Sequence, residues 1–219
     1  MTTKILSEVH RRHIAALREQ PALIDAEGLR IGSQYVMFFA EADLMREHVA
    51  RLTEGFSRPD VLEVGLGLGV FAAQLSVREI GSYWAIEPHP GVALMARTRV
   101  VEPFDVPVRV CVDPWQLVTL PAEAFDVIMY DTWPPDGHAD PDFAAFVADV
   151  AIPCLRPGGR FSFFHSGTSI SPARRAVLDR HFAEWTTSPH TMPAEQTPPH
   201  WTKPSRDFLI PIATKGDAR

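Results

Sequence analysis

Several protein classes are excluded by what this chain of 219 residues lacks. It has two cysteines, Cys111 and Cys154, too few for a disulfide framework and without metal or redox spacing. No apolar run approaches the ~20 residues of a membrane span. The start, Met1 to His10, carries charge early and has no apolar signal core. A cytoplasmic protein with no membrane partner is expected. Acidic residues outnumber Lys and Arg by 27 to 21, for a net charge of −6, and no long basic run is present. A phosphate-backbone partner is therefore not expected, and neither is nucleic acid. There is no internal repeat or low-complexity tract. The nine histidines show no metal-site spacing, so no metal is expected; His138 and His165 remain candidate bases or surface residues. A small-molecule substrate is left, and the acid excess suits a cationic one. None of these features bears on oligomeric state.

What is present is a globular composition, 46% hydrophobic, at a length suited to one domain over residues 1–219. Amphipathic helices are expected at Leu6–Glu19 and Glu41–Thr53, so that residues 1 to about 55 form an N-terminal helical segment over the active site. Strands and helices then alternate. Strands read at Val61–Val64, Tyr83–Glu87, Val106–Val112, Phe125–Tyr130 and Arg160–Phe164, with helices such as Pro141–Leu155 and Ser171–Arg180. This alternation predicts a mostly parallel sheet with helices on both faces. After Glu184 it stops. A strand near Trp185 and another at Phe208–Ala213 would add an antiparallel C-terminal edge, giving seven strands. Pro211 points to a sheet edge or a bulge. Residues Ser188 to Pro204 hold five prolines and read as a loop.

In such a sheet ligands bind beyond the carboxyl ends of the strands. The first strand of the alternation ends in Glu63-Val-Gly65-Leu-Gly67-Leu-Gly69. A dinucleotide fingerprint needs glycine at its first, third and sixth positions; counting from Gly65, the sixth is Val70. The spacing suits a ligand without a pyrophosphate, and Glu63 can help hold a cationic end. Glu87 ends the next strand, where an acid can accept two ribose hydroxyls. Near the end of the third, Asp113 and Trp115 read either as adenine contacts or as a turn acid and a core tryptophan. Together these features resemble class I methyltransferases, with a Rossmann-like α/β fold. The cofactor implied is S-adenosylmethionine, with S-adenosylhomocysteine as product.

The next strand and its loop read Phe125-Asp-Val-Ile-Met-Tyr130-Asp131-Thr132-Trp133-Pro-Pro135. Asp131 ends the strand, and Asp126 reads as a solvated acid at its start. Tyr130-Asp-Thr-Trp-Pro134 resembles the Tyr-Asp-Thr-Tyr-Pro loop of the guanidinoacetate N-methyltransferase family. Val61-Leu-Glu-Val-Gly65 matches that family's strand motif. Val36-Met37, Glu41 and Met45 fall at its spacing, and Thr214-Lys-Gly216 resembles its terminus. The resemblance runs from about Leu29 to Phe164. It implies Asp131 and Glu41 as catalytic acids gripping a guanidinium. Met45 joins the cofactor residues, and Thr132, Trp133 and Phe38 those near the substrate. Read alone, Glu41 is an exposed helix acid. The family's Glu-Arg-Trp-Glu-Thr-Pro-Tyr is Phe38-Phe-Ala-Glu41-Ala-Asp-Leu44 here, and Trp133 replaces a tyrosine. These apolar changes point to an acceptor with more carbon than guanidinoacetate, such as arginine or agmatine. Methylation of another small amine, acid or hydroxyl stays open. So do a spermidine-synthase-like aminopropyl transfer and a non-catalytic binding domain.

Overall fold

The computed structural model describes residues 6–217. The first five residues of the expected N-terminal segment, and residues 218–219, lie outside that range. The elements run α1 (Glu8–Glu19), β1 (Ala22–Ile24), β2 (Gly28–Ile31), β3 (Gln34–Phe38) and α2 (Ala42–Thr53). Then follow β4 (Asp60–Val64), α3 (Val70–Leu75), β5 (Ser82–Ile86), α4 (Pro90–Ala96), β6 (Val108–Cys111) and β7 (Phe125–Tyr130). The chain ends with α5 (Ala139–Phe146), α6 (Ile152–Cys154), β8 (Leu155–Phe163), α7 (Pro172–His181), β9 (Glu184–Thr191) and β10 (Asp207–Thr214). A π-helical stretch, Val147–Ala151, joins α5 to α6.

The main sheet has seven strands in the order β6-β5-β4-β7-β8-β10-β9. Strands β6, β5, β4, β7 and β8 are parallel; β10 pairs antiparallel with both β8 and β9. Both faces are covered, so each central strand alternates between two apolar environments rather than between core and water. On β4 and β7, Leu62, Val64, Ile128 and Tyr130 join the cluster built around Phe143, Phe146 and Phe161. Val61, Val127 and Met129 face the opposite way, toward Val49 and Leu52 of α2 and Phe71 and Leu75 of α3. Ser171 caps α7 through Arg174 N–H, with Pro172 at the first helical position, where a missing N–H costs nothing.

Four expectations are corrected. The segment before β4 is not wholly helical: β1, β2 and β3 form a separate antiparallel sheet. Those strands are three to five residues long, too short for periodicity to reveal. The proline-rich stretch is a loop only after Thr191, because Ser188–Thr191 pair with β10. Pro211 lies in an internal strand. It is tolerated because the ladder between β10 and β8 covers Ala213 and Thr214, while the Pro211 carbonyl accepts from Ser162 Oγ at 2.5 Å. Asp126 is not merely solvated. It accepts from Asp60 N–H (2.8 Å) and Arg156 Nη1 (2.7 Å), and Arg156 Nη2 also reaches Asp60 at 2.8 Å, tying together the starts of β4 and β7.

The Phe143–Phe146–Phe161 cluster holds the face beneath α5 and α7. Phe161 is fully buried and stacks on Phe182 at 5.5 Å between ring centroids. Phe161→Ala should therefore destabilise the protein by about 3–5 kcal/mol through lost contacts and a cavity. Denaturant unfolding followed by circular dichroism tests this; a loss under 1 kcal/mol would mean the cluster is not the core of that face.

Candidate active site

Strand order reverses between β4 and β7, the neighbours from which the sheet extends in opposite directions. A cavity of about 370 Å³ lies there, beyond their carboxyl ends. The loops leaving the two strands touch. Asp131 N–H donates to the Val64 carbonyl at 2.8 Å. Gly65 has φ +92, and a Cβ built on it would lie 1.6 Å from the Asp131 carbonyl oxygen. Only glycine fits. Gly67 has φ +52, a left-handed conformation that favours glycine, and Met37 Sδ would lie 3.0 Å from a Cβ there.

The cavity is lined in part by Glu63, Gly65, Gly67, Glu87 and Trp115. Glu87 Oε2 accepts from Gly67 N–H at 3.0 Å and Oε1 from His89 N–H at 2.9 Å. Each oxygen retains a lone pair, as a ribose diol would require. Burial pushes its carboxyl up to about 7, against the lowering effect of these two bonds. Glu63 is buried and accepts from the Tyr83 hydroxyl. Burial first, and then the nearby Asp131 and Glu87, raise its carboxyl well above the ordinary range. Trp115 lines the wall, edge-on to Phe146, with its indole N–H on Asp142 at 3.4 Å.

The same cavity is also lined by Glu41, Met45, Asp131, Trp133, Phe164 and Lys203. Glu41 is 2% exposed, not the surface acid its helix position suggests. Its Oε2 accepts from Phe38 N–H at 2.9 Å, which turns the carboxylate inward, and its Oε1 is buried without a hydrogen-bond donor. Lys203 Nζ stands 3.7 Å from that oxygen. Burial raises the Glu41 carboxyl, opposed by Lys203. Asp131 borders the cavity yet is set deep among protein atoms. That burial pushes it to about 7, with Lys203 lowering it and Glu41 raising it. Thr132 and Trp133 also line the cavity. Trp133 is 39% exposed, and His13 sits edge-on to its ring and 2.9 Å from its carbonyl.

Three expected site residues lie elsewhere. Phe38 is fully buried against Tyr35 and Trp201 and does not line the cavity, because β3 turns its last side chain away from it. Asp113 is exposed and pairs with Arg18 at 3.3 Å, a turn acid bound by α1. Gly69 precedes α3 in a left-handed conformation and packs on Val100, so it shapes the loop without lining the cavity. His138 precedes α5, and His165 Nε2 lies 2.9 Å from the Ser169 carbonyl; neither borders the cavity.

Sequence reasoning missed Lys203 and Asp142. The first lies in a long loop with no pattern to mark it. The second, an acid early in α5, is buried and gathers Tyr130 hydroxyl (2.7 Å), Gln116 Nε2 (3.0 Å), His10 Nε2 (3.0 Å) and the Trp115 indole. It ties α1 to the main domain across the cavity. Arg18 adds a second tie, to the Pro88 carbonyl at 2.8 Å.

A parallel sheet with a glycine turn at its switch point, a strand-end acid after it and a crowd of buried carboxylates defines a class I S-adenosylmethionine-dependent methyltransferase. Comparison with known proteins gives the family. The chain belongs to the guanidinoacetate N-methyltransferase family, whose model matches residues 21–177. Among solved structures, the N-methyltransferase NodS from Bradyrhizobium japonicum WM9 is similar with a TM-score of 0.60 at 14% identity, over 81% of this chain and 97% of that one. Its complex with S-adenosyl-L-homocysteine gives 0.59 at 15%, over 80% and 87%. The tRNA (m1A58) methyltransferase TrmI from Aquifex aeolicus gives 0.58 at 12%, over 91% and 90%. At these identities the likeness is one of fold. No described helix is long and apolar enough to cross a membrane.

Gly65→Ala should force the Val64 and Asp131 loops apart. S-adenosylhomocysteine affinity, measured by calorimetry, is expected to fall by at least tenfold with the far-ultraviolet spectrum unchanged. Unaltered affinity would mean that the two loops move independently.

Proposed function

We propose that this methyltransferase transfers a methyl group to a nitrogen of a small guanidino or amidino compound. The observation that carries this reading is the pair of buried acids, Glu41 and Asp131, which both line the cavity and lie near enough for Glu41 to raise the Asp131 carboxyl. A guanidinium is planar, always charged and a poor nucleophile, because its lone pairs are delocalised. Two carboxylates can bind its fork and localise a lone pair on the nitrogen that faces the methyl donor. In this reading the free Oε1 of Glu41 accepts one N–H, and Asp131 accepts another and takes the proton lost on methylation. A base with a proton affinity near neutrality suits that task.

The rest of the cavity lining fits S-adenosylmethionine: Glu87 has two lone pairs for the ribose, Gly65 and Gly67 admit close backbone approach, and Glu63 adds acid near a cationic end. When bound, the cofactor supplies a methyl group on a positively charged sulfur. The roles left for this chain are alignment of the acceptor, a gain in effective concentration, and removal of one proton. Met45, Thr132 and Trp133 would wall the reacting region. The apolar pocket expected from Phe38, Phe39 and Trp133 is reduced to Trp133, since Phe38 is in the core and Phe39 is on the surface. The case for a larger acceptor weakens with it.

Asp131→Asn and Glu41→Gln should each lower kcat/KM by about 10² or more, about 2.7 kcal/mol of transition-state stabilisation. Binding of S-adenosylhomocysteine should change little in Glu41→Gln. The assay is mass detection of methylated product over a panel of guanidino, amino and carboxylate compounds. Near-normal turnover in both variants, or methylation confined to compounds without a guanidino or amidino group, would overturn the reading. The pH dependence has a definite sign. Asp131, pushed to about 7, must be ionised to grip the cation. Thus kcat/KM should rise with pH, by up to tenfold per unit below about 7, and level off above it. A profile flat from pH 5.5 to 8 would rule out Asp131 as the titrating group.

A further inference from the structure

The acceptor region of the cavity contains a cation of the protein's own. Lys203 Nζ lies 3.7 Å from the undonated Oε1 of Glu41 and 4.7 Å from the centre of the Phe164 ring. Its side chain is 22% exposed. Its neighbours Thr202 and Pro204 line the same cavity, so the ammonium is brought in by its backbone and is not a surface lysine bent inward. At 3.7 Å it is too far for a good hydrogen bond, which leaves the Glu41 oxygen able to accept from another donor.

Charge accounting then limits what can bind. When both acids are ionised, Glu41 and Asp131 contribute two negative charges and Lys203, which acts electrostatically on both, one positive, so these three groups sum to one net negative charge. One guanidinium cancels it. A second cationic group on the acceptor would leave an uncompensated positive charge in the cavity beside an ammonium. Like charges several ångströms apart repel strongly at the effective dielectric of a protein site. We propose that Lys203 is the specificity-determining residue of the acceptor site, excluding dicationic guanidino compounds such as agmatine and admitting acceptors whose charges sum to one positive or to zero. An acceptor carrying an anionic group gains in addition a partner in Lys203. This inference rests on the guanidino reading and narrows it.

The test is calorimetry on the protein saturated with S-adenosylhomocysteine, using methylguanidine (one positive charge), guanidinoacetate (net zero) and agmatine (two positive charges). The wild type should bind agmatine at least tenfold more weakly than methylguanidine. Lys203→Gln should improve agmatine by at least tenfold relative to methylguanidine and should weaken guanidinoacetate. Lys203→Arg, which keeps the charge, should keep the exclusion. Lys203→Met gives the same measurement if the Gln variant does not fold, as judged by S-adenosylhomocysteine binding. Equal binding of agmatine and methylguanidine by the wild type, or a ratio unmoved when the charge is removed, overturns the role of Lys203 alone. Failure of all three probes to bind the wild type overturns the guanidino reading, and this proposal with it.

Discussion

The site depends on the contact between the first turn after β4 and the first turn after β7. The Asp131 carbonyl lies so close to Gly65 that no Cβ fits between them, and Asp131 N–H closes on the Val64 carbonyl. This bond continues the parallel ladder one step past the strands. The loop that would hold the methyl donor and the acid that faces the acceptor are thus parts of one rigid surface. Catalysis by alignment demands that rigidity, because a small error in distance between reacting atoms costs a large factor in rate.

Around this contact the fold gathers Glu41, Glu63, Glu87 and Asp131, all with carboxyls raised mainly by burial. Such crowding opposes folding and persists only where the surrounding structure over-determines it. Here two apolar clusters on opposite faces of the sheet supply that structure, and the Arg156 bridges tie the far ends of β4 and β7. Raised carboxyls at a cavity wall are also the expected mark of a site for positive ligands. Lys203 relieves part of the repulsion without closing the site, since it contacts Glu41 at ion-pair distance only.

The roof over the cavity is separate in structure from the sheet. Helix α1 and the small sheet β1–β3 share the cluster of Leu17, Leu29 and Ile31 with Leu68 and Val92 from the main domain. Polar ties then set their orientation: His10 to Asp142, His13 to the Trp133 carbonyl, and Arg18 to the Pro88 carbonyl. Each tie ends on a residue that lines the cavity. Covering the site and shaping it are therefore one event.

Where local rules decide a feature, the amino-acid sequence alone was enough. Strand and helix alternation specified a parallel sheet with an antiparallel edge, because both depend on short-range periodicity. Glycine spacing after β4 and the acids that directly follow β5 and β7 marked the switch point, because a close backbone approach requires glycine wherever it occurs. Tertiary structure decided the rest. Phe38 and Glu41 are three residues apart, yet one is packed against Tyr35 and Trp201 and the other faces the cavity, and only the docking of β3 and the short 3-10 turn of Phe39–Glu41 separates them. Asp113 and Asp142 exchanged expected importance because α1 binds both, one at the surface and one in the interior. Lys203 reaches Glu41 across 162 positions of chain, in a loop without periodicity. Sequence patterns report which face of its own element a side chain occupies. They carry no information on where a long loop lands, since that is set by the packing of everything beneath it.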